Sequence, residues 1–147
     1  MDQELKREII MENYLHPYNK EKVSDDKYIN VNTNNESCID NIDLQVLIND
    51  DKIVDIRFMG EACAISTAST SIMIKELIGK TTEEALKMIK NFENMVEEEE
   101  YDKEILSEAL VFDDIFKQKS RKTCATLPYV GIKKALNEYR NEKNGNS

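Results

Sequence analysis

Apolar and polar positions change period along this chain, and each change marks an element. From Ile42 the residues alternate, with Ile42, Leu44, Val46 and Ile48 on one side and Asp43, Gln45 and Asn49 on the other. Period-two alternation predicts a half-buried strand over 42–49, and a second over 53–58 follows the polar turn Asn49-Asp50-Asp51-Lys52 as an antiparallel hairpin. A third strand is expected at Tyr28–Asn32, and Gly60 closes the hairpin. The pattern then becomes helical: Ile65, Ala68, Ile72, Met73 and Leu77 share a stripe that begins at Cys63 and stops before Gly79. Thr81 and Glu84 form a capping box for a helix carrying Ala85, Met88, Ile89, Phe92 and Met95.

A further segment presents Ile105, Leu106, Ala109, Leu110, Ile115 and Phe116. A final helix opens at Cys124, with Pro128 in its first turn, and buries Ile132, Ala135, Leu136 and Tyr139. At the other end, residues 2–13 form a short helix with Leu5, Ile9 and Ile10 on one face, stopped by the proline of "NYLHPYNK". Strands followed by a run of helices predict an α+β fold, a small antiparallel sheet of about three strands packed against several helices. Its 147 residues form one domain, 1–147, with 141–147 a flexible tail.

Composition narrows the function. The net charge of −9 argues against nucleic-acid binding and against docking on an anionic membrane, and is compatible with a basic protein partner. No apolar run approaches the length of a membrane span, and "MDQELKREII" is a charged amphipathic helix rather than a signal peptide, so the expected location is cytoplasmic. The four glutamates Glu97–Glu100 are expected to be a solvated face rather than a metal site, and His16, the single histidine, a loop residue rather than a ligand.

The three cysteines carry the candidate chemistry. An odd number of thiols without an export signal makes a disulfide framework a poor explanation. Each falls at a junction: Cys38 before a strand, Cys63 in "GEACAISTASTS" and Cys124 in "RKTCATLPY" at expected helix starts. A helix N-terminus lowers a thiol's pKa, and Arg121 and Lys122 add positive charge beside Cys124. Asp40, two residues from Cys38 in an expected extended segment, is expected to point to the same side as that thiol. Three thiols and one carboxylate make a four-ligand set suited to zinc, and thiolates also hold iron–sulfur clusters. With no C-x-x-C, the spacing leaves open both a shared site and independent buried cysteines.

"SCID" before a strand, "FMGEACAISTASTSIM" across a strand–helix junction and "RKTCATLPY" resemble the U-type iron–sulfur cluster assembly family, which includes IscU scaffolds, the N-terminal domain of NifU and SufU. The resemblance spans roughly residues 5–140, and "NYLHPYN" is similar to the family's N-terminal signature. Scaffolds of the IscU type carry histidine where this chain has Thr123; the stretch around "MVEEEEYDKEILSEALVFDD", within 93–120, looks like the helical insertion of the SufU type, and Arg121 likewise matches it.

The resemblance implies a zinc-dependent, sulfurtransferase-like carrier that takes persulfide sulfur from a pyridoxal-phosphate-dependent cysteine desulfurase and passes it toward a downstream cluster scaffold. It implies Cys38, Asp40, Cys63 and Cys124 as Zn2+ ligands, Cys38 as sulfur acceptor and Arg121 as its assistant during ligand exchange. The alternative it carries is a scaffold on which a [2Fe-2S] cluster is assembled and passed on. Two departures stand beside the ligands: Ile39 and Ala62 occupy positions where the family has glycine, and a β-branched Ile39 is expected to stiffen any movement of Cys38.

Overall fold

In the computed structural model, residues 1–35 and 39–145 are described, and Glu36, Ser37, Cys38, Asn146 and Ser147 lie outside the described residues. Three strands, β1 (Ile29–Asn34), β2 (Asn41–Asn49) and β3 (Lys52–Glu61), form an antiparallel meander with β2 at its centre. The helices α1 (Gln3–Leu15), α2 (Ala64–Leu77), α3 (Thr82–Val96), α4 (Lys103–Leu106) and α5 (Lys119–Gly145) accompany it, with 3-10 turns at Ser107–Phe112 and Ile115–Lys117 between the last two. The expected α+β architecture is present.

The hairpin forms as its sequence predicts. Asp50 and Asp51 both take left-handed backbone angles, which match the twist of the flanking strands and which Asp tolerates better than most residues. On β2, Ile42, Leu44 and Val46 are buried as expected, while Gln45 is also buried because its side-chain amide bonds the backbone of Val23 in both directions, at 2.8 and 2.7 Å. The register shifts at Leu47/Ile48, so β3 buries Ile53, then Ile56 and Phe58, rather than keeping strict alternation.

Helix α2 is the centre of the helical layer and is buried over nearly its whole circumference from Ser66 to Ile74. Its small hydroxyl residues allow neighbours to approach, and they are not left unpaired. The Ser69 hydroxyl donates to the Ala125 carbonyl at 2.6 Å and the Ser71 hydroxyl to Asn13 at 2.8 Å. On α1, Ile9 and Ile10 of the expected face pack against the core. Leu5 is exposed, and Lys6 and Asn13 are the buried residues, Lys6 paired with Asp113 at 2.5 Å.

The last helix differs most from expectation. It begins at Lys119, five residues before Cys124, so Pro128 lies inside it rather than in its first turn. It also continues to Gly145, past the expected end at Arg140. There the Tyr139 hydroxyl accepts from the Asp51 N–H and donates to its carboxylate, both at 3.0 Å, and Lys143 pairs with the same carboxylate at 2.5 Å. The far end of α5 therefore clasps the hairpin turn.

Helix α3 is capped by the Thr81–Glu84 box, and every apolar residue predicted for it is buried. Phe92 stacks on Tyr129 of α5 at 3.9 Å and meets Phe112 edge-on at 6.2 Å, which ties the 3-10 segment to both helices. Val111 and Phe112 join this core although the sequence pattern had pointed to Leu110 and Phe116, which are half-buried. Tight 3-10 geometry places successive side chains differently from the 3.6-residue period used to read them.

Candidate metal centre

Three junctions converge at one end of the sheet. Asp40 immediately precedes β2, Cys63 is the N-cap of α2, and Cys124 lies in the second turn of α5. One carboxylate oxygen of Asp40 and the sulfurs of Cys63 and Cys124 lie within 4.8 Å of one another. Asp40 is only 1% exposed and Cys124 only 4%, while Cys63 is half-buried and opens the cluster to one side. Gly60 makes this closeness possible. Its φ is +129°, and a Cβ there would lie 2.1 Å from the carbonyl of Asn41, the residue after Asp40.

Asp40 is held at both oxygens. Its Oδ1 accepts the backbone N–H of Cys63 at 2.7 Å, and its Oδ2 accepts the Ser66 hydroxyl at 2.7 Å, with the Cys63 thiol at 3.7 Å. Burial pulls the carboxyl toward its neutral form, but the hydrogen bonds from Ser66, Cys63 and Cys124 outweigh it and hold the group below the ordinary carboxylate range. Cys124 behaves oppositely. Burial, then the neighbouring Cys63 and Asp40, push its thiol up to about 12. Cys124 sits inside the helix rather than at its N-terminus, where it was expected. For Cys63 the N-cap position is as predicted, and its sulfur accepts the Ser66 N–H at 3.4 Å.

Among the described residues, no lysine or arginine pairs with these three side chains. Two thiols and a carboxylate in one largely buried cluster without a protein cation are chemically matched to a thiophilic metal ion, which stabilises thiolate where burial alone opposes it. The donor set therefore fits zinc, with one further ligand required for a tetrahedron. Cys38, the expected fourth ligand, lies outside the described residues.

The other predicted residues are distributed as follows. Arg121 is exposed in the first turn of α5, and its side chain takes part in no hydrogen bond or ion pair among the described residues, whereas Lys122 pairs with Glu97 at 2.9 Å. Glu97–Glu100 are exposed and form the turn after α3 rather than a helix face; His16 is an exposed cap of α1. Neither Ile39 nor Ala62 has a positive φ, so neither replaces a glycine that this backbone requires; Ile39 is 76% exposed. Sequence reasoning missed Ser66. Its position three residues after Cys63 marks it as part of the helix cap, but nothing in the sequence shows that it also reaches Asp40.

A three-stranded α+β domain with a thiol–carboxylate cluster between strand end and helices defines a metal-ligating class of small protein. Residues 5–145 match the family described as NifU-like N terminal domain, and the chain belongs to that family. It is 38% identical over 133 residues to the zinc-dependent sulfurtransferase SufU of Bacillus subtilis, covering 90% of this chain and 89% of the relative. It is 40% identical over 112 residues to the iron–sulfur cluster assembly scaffold protein IscU of Streptococcus pyogenes, covering 76% and 70%. The crystal structure of the SUF-system protein FiSufU from Fervidobacterium islandicum superposes with a TM-score of 0.83 at 39% identity, covering 88% of this chain and 94% of that one. A NifU-like protein from Brucella abortus shares the fold at 16% identity, with a TM-score of 0.81 over 92% of this chain and 96% of that one. No helix among the described residues is long and apolar enough to cross a membrane.

Proposed function

We propose that this protein is a zinc-dependent sulfur acceptor in iron–sulfur cluster assembly, receiving persulfide sulfur from a cysteine desulfurase and handing it to a downstream scaffold. The observation that carries the reading is the convergence of Asp40, Cys63 and Cys124 within 4.8 Å, in a chain 38% identical to a protein named as a zinc-dependent sulfurtransferase. Zinc, when bound, keeps thiols ionised without redox chemistry of its own.

The chain's residues then divide the work. Asp40, Cys63 and Cys124 would hold the metal, with Cys38 as the expected fourth ligand and the sulfur acceptor. Its thiolate attacks the outer sulfur of the donor persulfide. The donor's S–S bond breaks, the donor cysteine leaves as thiolate, and Cys38 becomes the persulfide with no net oxidation. On this reading Arg121, exposed three residues before Cys124, meets an anionic group arriving from solvent. The segment 93–120, read as an insertion, packs its aromatic Phe112 against α3 and leaves its acidic run at the surface.

Metal content per chain, on protein purified without chelators, tests the reading together with sulfur uptake from a desulfurase. The expected result is about one zinc per chain, reduced in Asp40→Ala, and loss of sulfur uptake in Cys38→Ala with the fold intact. Iron with acid-labile sulfide in place of zinc overturns it in favour of the scaffold reading.

A further inference from the structure

Pro128 lies inside α5, four residues after Cys124. In a helix the carbonyl of residue i accepts from the N–H of residue i+4, and proline has none. The carbonyl that loses its helical donor is therefore that of the metal-site cysteine itself. A buried carbonyl without a donor is unfavourable, and here one is supplied from another helix: the Ser66 hydroxyl stands 3.0 Å from the Cys124 oxygen. The same hydroxyl stands 2.7 Å from Asp40 Oδ2, and Ser66 is fully buried. A hydroxyl has one proton to give, so it can serve only one of these acceptors at a time.

We propose that Ser66 is the positioning residue of the metal centre, orienting Asp40 for the ion through its Oδ2 while Pro128 gives the Ser66 proton a second acceptor at Cys124. The inference rests on the metal-site reading above. With the Cys63 N–H on Oδ1 and Ser66 on Oδ2, the carboxylate is held at both oxygens, and one of those oxygens lies within 4.8 Å of the sulfurs of Cys63 and Cys124. With its proton on Oδ2, Ser66 would hold Asp40 in place for an ion, and the Cys124 carbonyl is the competing acceptor for that proton.

Zn2+ affinity by chelator competition, on folded full-length protein, tests the assignment without reference to activity. Ser66→Ala is expected to bind Zn2+ about 10–100-fold more weakly than wild type, the range for loss of a group that orients a ligand. In an Asp40→Ala background the same substitution should change affinity by no more than about twofold, because a positioning residue has nothing left to position. Pro128→Ala separates the two roles of the hydroxyl: it returns an N–H to the Cys124 carbonyl and removes the competing acceptor. Ser66→Ala should still weaken binding in that background; restoration of wild-type affinity there would show that the loss came from the orphaned carbonyl, and would overturn the assignment. Unchanged affinity in Ser66→Ala overturns it alone, with the metal site intact. Failure of the wild type to bind Zn2+ overturns both this inference and the reading it rests on.

Discussion

At the scale of single residues, the least compatible side chain in this fold is Glu76, on the buried helix α2. Its Oε1 accepts the Ala109 N–H at 3.1 Å, while Oε2 is buried with no hydrogen-bond partner among the described residues. Burial pushes the carboxyl up to about 7 from 4.5, against backbone donors at Ala109 and Glu108; the negative charge of Glu108 adds to the rise and Lys80 opposes it. Glu108 is itself paired with Lys75 at 3.0 Å, and the buried Tyr129 hydroxyl faces the same carboxylate field. The folded state binds this proton more tightly than the unfolded chain does. Stability therefore falls as pH rises from the unfolded value of 4.5 through about 7, by up to ~3 kcal/mol. Glu76→Gln should be more stable than wild type at pH 8 by ~1–3 kcal/mol, the gap closing toward pH 4.5, as urea unfolding at several pH values will read. A gap independent of pH would place its origin elsewhere than in this charge.

Residues also show how unevenly the site was legible. Cys63 and Asp40 could be read from their junctions because a helix start and a strand start are local events, marked by Gly60 and by the onset of alternation. Ser66 was not readable. Its role depends on Asp40, 26 positions away, and on the Cys124 carbonyl, 58 positions away.

At the scale of elements, α5 shows where local signals mislead. Proline in a first turn is a common start signal, so Pro128 suggested a helix opening at Cys124. The helix instead starts at Lys119 and tolerates Pro128 in its interior, because Ser66 of a neighbouring helix supplies the missing donor. The same helix lies against the sheet through Gly131, where a Cβ would come 2.7 Å from Leu44 Cδ1 and 2.9 Å from Thr33 Cγ2. Both neighbours are buried, and Thr33 is further held by its hydroxyl bond to the Leu127 carbonyl at 3.1 Å. Gly131→Ala would gain helix propensity of ~1 kcal/mol, yet the overpacking should exceed it and leave the variant less stable by ~1–2 kcal/mol. Equilibrium denaturation measures this directly, and a stabilised variant would mean that α5 has room to lift from the sheet.

At the scale of the whole molecule, the candidate metal centre lies where three parts meet: the strand entry at Asp40, the cap of α2 and the second turn of α5. An ion bound only by the folded chain stabilises it by mass action, ~2.7 kcal/mol at a concentration one hundred times its Kd. For a chain of 147 residues this corresponds to a rise in Tm on the order of 5–10 °C. Thermal unfolding with Zn2+ and with chelator should show that difference in wild type and little of it in Asp40→Ala. Equal shifts in both would mean that zinc acts at some other place.

The sequence by itself determined the strands, the hairpin turn, the capped helix α3 and the α+β layering, because alternation, capping and turn chemistry are each decided within a few residues. It also marked Cys63 and Asp40 as chemically placed, through their local context. Only the tertiary structure decided that Lys6 and Asn13 of α1 are buried, where α5 begins, that Cys124 is buried within a helix, and that Ser66 joins the site. Those features arise from pairings between distant segments, whose free energy depends on burial and on which donors remain for each acceptor once the helices have packed.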